Sequence, residues 1–311
     1  MEGNEYMIDN IFAPNLYLEI TNKCNMNCEY CYIKDKGEEA EPVSLGDIID
    51  AIDSVNPANV IFTGGEPMLY PDLIEKPIEY YEFMKKKYWK TCLMTNLNYE
   101  LDDRKKNILL KMDCIQNTFR PWLMSSENYK KNIKFCLDSG LNLVFTITLD
   151  KKTLDIKPEE LKEYLDIATL GYTCGLLFET VSSIREEVDY EKADKYMLQC
   201  AKLLEDTQYN LITFSDWKFH VDNNMSLHCN SCRASNTFVF DPITKKVKIG
   251  CPCFIPSDES ARVHKYLSTC EDCDIFDICK MDCERFGDKC GTPKNTIKYV
   301  LKDRLEGKKD E

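Results

Sequence analysis

The sequence predicts an α/β protein in two parts, a partial (β/α)6 barrel followed by a small cysteine-rich domain. Three observations predict it. From about residue 16 to 180, short β-rich runs alternate with amphipathic runs of helical period, and strand–helix alternation implies a parallel sheet with helices packed outside it. Past about residue 215 the alternation stops and short segments take over. The seventeen cysteines divide along the same line: three lie between Cys24 and Cys31, nine between Cys229 and Cys290, and five are scattered between these groups. The expected division is residues 1–215 and 216–311.

The strands are expected at Leu16–Thr21, Asn59–Thr63, Lys90–Thr95, Cys114–Phe119, Asn142–Leu149 and Thr173–Thr180. The helices between them are expected at Leu45–Val55, Asp72–Tyr88, Leu101–Met112, Glu127–Ser139 and Glu159–Leu170. Ser44 followed by Asp47 reads as a cap on the first helix, and Gly140 and Gly171 as stops for the last two. A further helix is expected over Tyr190–Glu205. Beyond the boundary, Phe238–Asp241 and Lys246–Ile249 read as a hairpin, Thr296–Leu305 as a terminal helix, and the GKKDE tail as frayed. No internal repeat or low-complexity segment stands out. In sheets of this kind the active site lies at the C-terminal ends of the strands.

Composition narrows the class. Apolar residues make up 43% and charged residues 30% of the chain, an ordinary balance for a soluble domain. The net charge of −13 argues against nucleic acid, whose binders draw much of their affinity from a basic face. The N-terminus has no basic and apolar signal regions and no run of about 18 apolar residues occurs, so neither export nor a membrane is expected and the protein reads as cytoplasmic. In that compartment dense cysteine points to metal or catalysis rather than to disulfides. Strand ends without histidine argue against a Ser-His-Asp hydrolase.

Cys24, Cys28 and Cys31 follow directly on the first strand. Zinc in a structural site takes four ligands, and no fourth follows nearby. Cubane clusters also take four thiolates as a rule, but three can hold three irons and leave the fourth open to a cofactor or substrate. The second strand then ends in Thr63-Gly64-Gly65-Glu66-Pro67. The Cys-x3-Cys-x2-Cys spacing, with Tyr30 before the last cysteine and Gly-Gly-Glu-Pro ending the next strand, resembles the radical S-adenosylmethionine (radical SAM) superfamily. The resemblance implies that Cys24, Cys28 and Cys31 ligate a 4Fe–4S cluster whose open iron binds S-adenosylmethionine (SAM). It implies that Gly64, Gly65 and Glu66 contact the SAM amino group and that Tyr30 packs near the adenine. One-electron cleavage of SAM would then give a 5′-deoxyadenosyl radical that abstracts hydrogen from a substrate. Thr95 and Asn96 end the third strand much as in the family, and with Asn117 and Arg120 at the end of the fourth they are expected around SAM. Gln116-Asn-Thr-Phe-Arg120 departs from the family's usual run there. Thr146, Thr148 and Glu179 complete the candidates at the later strand ends.

The C-terminal field comprises Cys229, Cys232, Cys251, Cys253, Cys270, Cys273, Cys279, Cys283 and Cys290. Two zinc ions or two cubanes would each use eight of these nine, so counting does not decide between them. Cys270-x2-Cys273-x5-Cys279-x3-Cys283 resembles the core of the SPASM domain of peptide-modifying radical SAM enzymes, which favours iron–sulfur. Gly250 directly before Cys251 breaks that domain's usual spacing. The resemblance implies one or two auxiliary 4Fe–4S clusters, the first on Cys229, Cys232, Cys251 and Cys283, the second on Cys270, Cys273, Cys279 and Cys290. Cys253 is spare or exchanges with Cys251, and His228 lies beside a ligand. Cys92, Cys114, Cys136, Cys174 and Cys200 read as small hydrophobes; His220 and His264 carry no signal.

The reading that follows from the resemblance is a maturase acting on a peptide or protein side chain by crosslinking, epimerisation or oxidation, supplied by a low-potential donor such as flavodoxin or ferredoxin. Only about fifteen residues precede the first strand, so no leader-binding domain is expected there. The alternatives are a radical SAM dehydrogenase acting on a small molecule, and a non-catalytic iron–sulfur or zinc adaptor.

Overall fold

Parallel strands covered on both faces carry apolar residues at successive rather than alternate positions, and Leu143–Leu149, buried at all seven, shows this fully. The computed structural model describes residues 14–31, 33, 43–180, 189–222, 237–249 and 293–306. In chain order the first elements are β1 (Asn15–Glu19), α1 (Leu45–Val55), β2 (Asn59–Thr63), α2 (Asp72–Phe83), β3 (Lys90–Thr95) and α3 (Asp103–Leu110). Then come β4 (Cys114–Thr118), α4 (Glu127–Asp138), β5 (Leu143–Leu149), α5 (Pro158–Thr169), β6 (Gly175–Thr180) and α6 (Tyr190–Leu204). The last are β7 (Asn210–Leu211), α7 (Ile212–Asp222), β8 (Thr237–Asp241), β9 (Lys246–Ile249), α8 (Lys294–Val300) and α9 (Lys302–Glu306).

The chain divides into two compact units. The first gathers the described residues of 1–117, 126–143 and 229–257. In it β1, β2, β3 and β4 pair in parallel in sequence order, with Asn15 opposite Asn59 and Thr95 opposite Asn117. The second gathers those of 118–125, 144–228 and 258–311, and in it β5, β6 and β7 pair in parallel. All six expected strands and six expected helices are present, and the alternation is that of an α/β protein with a parallel sheet.

Local chemistry explains the ends. Ser44 and Asp47 form a reciprocal capping box at the start of α1. Gly140 and Gly171 stand at φ +68° and +86°, just past α4 and α5, where a residue without Cβ is at ease. Two expectations are corrected. The helix expected over Asp72–Tyr88 stops at Phe83, because Lys85 turns left-handed at φ +52°. The single terminal helix is two short ones, broken at Leu301, whose φ of −105° leaves the helical region.

Beyond residue 204 the structure adds what periodicity did not suggest. Helix α7 runs across residue 215, the expected boundary, and β7 precedes it. The expected hairpin exists, β8 pairing antiparallel with β9. β8 also lies parallel against β1, Leu18 opposite Phe240, so the hairpin extends the first unit's sheet. That pairing joins residues more than 200 apart in sequence, and no local pattern reports it. In the second unit, the buried carboxylate of Asp194 on α6 accepts from the Asn295 and Thr296 backbone N–H groups, at 2.8 and 2.9 Å, and from the Thr296 hydroxyl at 2.7 Å. A residue a hundred positions away thus caps the first turn of α8. Among the described residues, no helix is long and apolar enough to cross a membrane.

Candidate active site

Cys24, Cys28 and Cys31 lie in the loop that leaves β1, at the C-terminal end of that strand. Cys31 N–H donates to Cys28 O at 3.2 Å, a tight turn between the second and third cysteines, and none of the three is in a disulfide. Cys24 is an exposed residue, yet its thiol is pushed up to about 11, first by partial loss of water around the sulfur and then by Glu66, Cys31 and Cys28 nearby. Coordination to iron reverses that effect, since a metal ion deprotonates a coordinating thiol outright. Among the described residues, no three His, Cys, Asp or Glu side chains converge to hold a single metal ion. A cubane asks for something else, thiolates distributed around four irons. Three thiols in one loop suit three of a cubane's four irons and leave the fourth open.

The two glycines of the second strand end serve the backbone. A Cβ on Gly64, which sits at φ +124°, would meet Thr21 O at 2.2 Å; one on Gly65 would meet Lys23 O at 2.0 Å. Through this close approach Gly65 N–H donates to Thr21 O at 2.7 Å and Glu66 N–H to Lys23 O at 2.8 Å. The Gly-Gly-Glu-Pro loop is therefore fastened to the three residues that lead into Cys24.

Glu66 is fully buried. Its Oε1 accepts from Met68 N–H at 3.0 Å and from the Thr95 hydroxyl at 2.8 Å, and its Oε2 from Asn96 N–H at 2.8 Å. Burial pushes the carboxyl up to about 7, although all three donors act to lower it. Thr95 and Asn96, expected around SAM, are thus placed on Glu66. The Asn96 side chain reaches the cysteine loop, donating to Asn25 Oδ1 at 2.7 Å and lying 3.9 Å from Cys24 Sγ. Leu97, next in the chain, is buried at φ +54°, with its carbonyl held by the buried Asn132 amide at 2.9 Å. Sequence reasoning missed Asn132. Its signal was an amide on the apolar face of α4, in register with Tyr129, Ile133 and Cys136.

Asn117 is buried in the first unit and spans β3 and α4, donating to Thr95 O at 2.9 Å and accepting from Tyr129 Oη at 2.7 Å. Tyr30 is half-buried in the cysteine loop. The second unit holds Arg120, buried, 3.7 Å from the buried Asp150 carboxylate. The Trp122 ring lies 5.4 Å from the Arg120 guanidinium and 4.1 Å from the Lys152 ammonium. Thr146 and Thr148 are buried on β5, and Glu179, opposite Thr148, is half-buried on β6.

Cys136, Cys174 and Cys200 are buried as small hydrophobes. Cys92 and Cys114 face each other across β3 and β4, and the hydrogen bond between them, with burial, pushes the Cys92 thiol well up. Cys229, Cys232, Cys251, Cys253, Cys270, Cys273, Cys279, Cys283, Cys290, His228 and His264 lie outside the described residues, as does the tail at 307–311.

The radical SAM superfamily profile matches residues 18–166, which hold both the cysteine loop and Gly64–Glu66. This chain carries a radical SAM domain. Curated relatives match over short stretches. An uncharacterized protein of Methanocaldococcus jannaschii is 38% identical over 76 residues, 24% of this chain and 26% of that one. The GTP 3′,8-cyclase of Streptomyces coelicolor is 37% identical over 83 residues, 24% of each chain. The chain thus spans about a quarter of the length of these curated relatives. Solved structures share the fold over far more of it. Native anSMEcpe with bound AdoMet aligns with a TM-score of 0.73 at 13% identity, covering 94% of this chain and 98% of that one. Streptococcus suis SuiB bound to precursor peptide SuiA aligns at 0.60 and 14% identity, covering 88% and 72%. The fold is accordingly the partial, barrel-like α/β core of radical SAM proteins, as expected from the sequence.

Proposed function

We propose that this chain is a radical SAM enzyme that modifies a peptide or protein side chain. The observation that carries the SAM chemistry is the fastening of Gly64–Glu66 to Thr21–Lys23, which sets a buried carboxylate beside a loop of three cysteines that are not in disulfides. When bound, the cluster and SAM supply one-electron cleavage and a hydrogen-abstracting radical; the protein supplies position and shielding.

Cys24, Cys28 and Cys31 would hold the cluster. Glu66 would orient the SAM ammonium: a carboxylate can accept about four hydrogen bonds, and its Oε2 receives one from Asn96. An ammonium there favours the ionised carboxylate, so SAM binding should strengthen as pH rises through about 7, where the ligand-free carboxyl titrates. Gly64 and Gly65 shape the loop, and Thr95, Asn96 and Asn117 brace it. Tyr30, Arg120 and Glu179 are further candidates for SAM contacts.

The peptide reading rests on the SPASM-like spacing Cys270-x2-Cys273-x5-Cys279-x3-Cys283. It is supported by structures of similar fold solved with peptides, anSMEcpe with the Kp18Cys peptide and SuiB with SuiA. Under it, the cysteine-rich stretches beyond about residue 216, on either side of the β8–β9 hairpin, serve as an auxiliary cluster region. There Cys229, Cys232, Cys251 and Cys283, and Cys270, Cys273, Cys279 and Cys290, hold one or two further cubanes, and a flavodoxin or ferredoxin in the cytoplasm supplies electrons.

The test is anaerobic reconstitution followed by a 5′-deoxyadenosine assay with dithionite. Wild type should form it, and a chain with Cys24, Cys28 and Cys31 all replaced by Ala should not. Equal rates from the two would refute the assignment. Co-expression with a short cysteine- or aromatic-rich peptide encoded beside the gene, read by mass spectrometry, tests the substrate class.

A further inference from the structure

The cysteine loop is held by more than the glycines. Asn25, between the first two cysteines, donates from Nδ2 to Asn98 O at 2.6 Å. Its Oδ1 accepts from Asn96 Nδ2 at 2.7 Å. The same Asn96 nitrogen lies within hydrogen-bond reach of Cys24 Sγ, at 3.9 Å. The Asn96 amide has only one workable orientation, because its Oδ1 accepts from Asn98 N–H at 2.7 Å; flipped, it would set an oxygen against the sulfur and against Asn25 Oδ1. Asn98 is anchored in turn, its Oδ1 accepting from Ser126 Oγ, the N-cap of α4, at 2.7 Å. The Asn96 backbone N–H is taken by Glu66. One residue therefore connects the buried glutamate, the first cysteine and the loop after β3.

We propose that Asn96 is a positioning residue for Cys24, one that fixes the first thiolate of the SAM cluster and tunes its reduction potential through an N–H···S hydrogen bond, with Asn25 and Asn98 setting its orientation. The inference rests on the radical SAM reading above. Its physical basis is general: hydrogen bonds to ligating sulfurs stabilise the more negative, reduced cluster and raise its potential, and partners of metal ligands hold them in place.

The test uses the full chain, reconstituted anaerobically, with an electron paramagnetic resonance redox titration of the signal that shifts on adding SAM. Asn96→Asp keeps the shape, removes both N–H donors and adds charge beside the sulfur. It should leave a several-fold smaller reduced fraction at a fixed applied potential and speed iron loss to a chelator. Asn96→Ser, which keeps the backbone bond to Glu66, should shift in the same direction by less. Asn25→Asp loses the bond to Asn98 O and should mainly speed iron loss. If both Asn96 variants bind iron and titrate with wild-type potential, the positioning role is refuted while the radical SAM reading stands. Should Asn96→Asp not fold, Asn96→Ser decides alone. A wild-type chain with no SAM-responsive signal would instead overturn the radical SAM reading itself.

Discussion

Replacing Gly65 by Ala adds one methyl group, and the structure says where it must go. The new Cβ would lie 2.0 Å from Lys23 O, 2.5 Å from Lys23 C and 2.9 Å from Asn22 C, all under the 3.0 Å that Cβ contacts keep. These are backbone atoms, so no side chain can rotate aside; the two loops must separate. Separation breaks Gly65 N–H to Thr21 O and Glu66 N–H to Lys23 O, worth about 0.5–1.5 kcal/mol each. Overpacking adds about 1–3 kcal/mol, for a total of about 2–6 kcal/mol, a large part of a domain's usual margin. Gly140→Ala is the control. That glycine stands at φ +68° with nothing within 4 Å of its Cβ position, so only backbone strain of about 1–2 kcal/mol applies. Urea unfolding of the two variants, followed by circular dichroism, measures the difference. Iron retention after reconstitution should fall for Gly65→Ala alone. The reasoning is refuted if the two variants lose equal stability and Gly65→Ala retains iron normally.

Further outcomes are expected. Glu66 is pushed from its ordinary 4.5 to about 7 by burial, so between those values the native state holds a proton that the unfolded chain has released. Stability of the ligand-free protein should therefore be highest on this account below pH 4.5 and fall by about 3 kcal/mol by pH 7. Glu66→Gln should flatten that slope in urea titrations and weaken SAM binding about ten- to a hundred-fold. Asp194→Ala removes the buried acceptor at the start of α8 and should cost about 2–4 kcal/mol, seen as a lower urea midpoint and early proteolysis after residue 293. The reconstituted chain should carry about twelve irons by the four-iron count. About eight would mean one auxiliary cluster and favour a small-molecule substrate, while stoichiometric zinc in anaerobically purified protein would overturn the iron–sulfur assignment of the C-terminal cysteines.

The alternation of strands and helices was legible because it is local. Apolar runs such as Leu143–Leu149, the Ser44–Asp47 cap and the stops at Gly140 and Gly171 declare themselves within a few residues. The two motifs were legible because spacing within one loop carries the chemistry. The stop at Lys85 was not, since a left-handed lysine has no compositional mark; nor was α7, where the expected boundary at 215 falls within a helix.

The sequence by itself determined the α/β class, the cysteine triplet and the presence of a Gly-Gly-Glu-Pro strand end. Only the tertiary structure decided what those residues touch. Gly64 and Gly65 prove to be needed because Thr21–Lys23 passes within 3 Å of where their Cβ atoms would stand. Glu66 is buried against a strand end about thirty residues on, and Asn25 meets Asn96 and Asn98 across more than seventy. Asp194 caps a helix a hundred residues away, and β8 pairs with β1 across more than two hundred. Helical and strand periods act over a few residues and can be read along the chain. Hydrogen bonds between distant loops depend on the register in which the strands pair, and that register exists only once the sheet has formed.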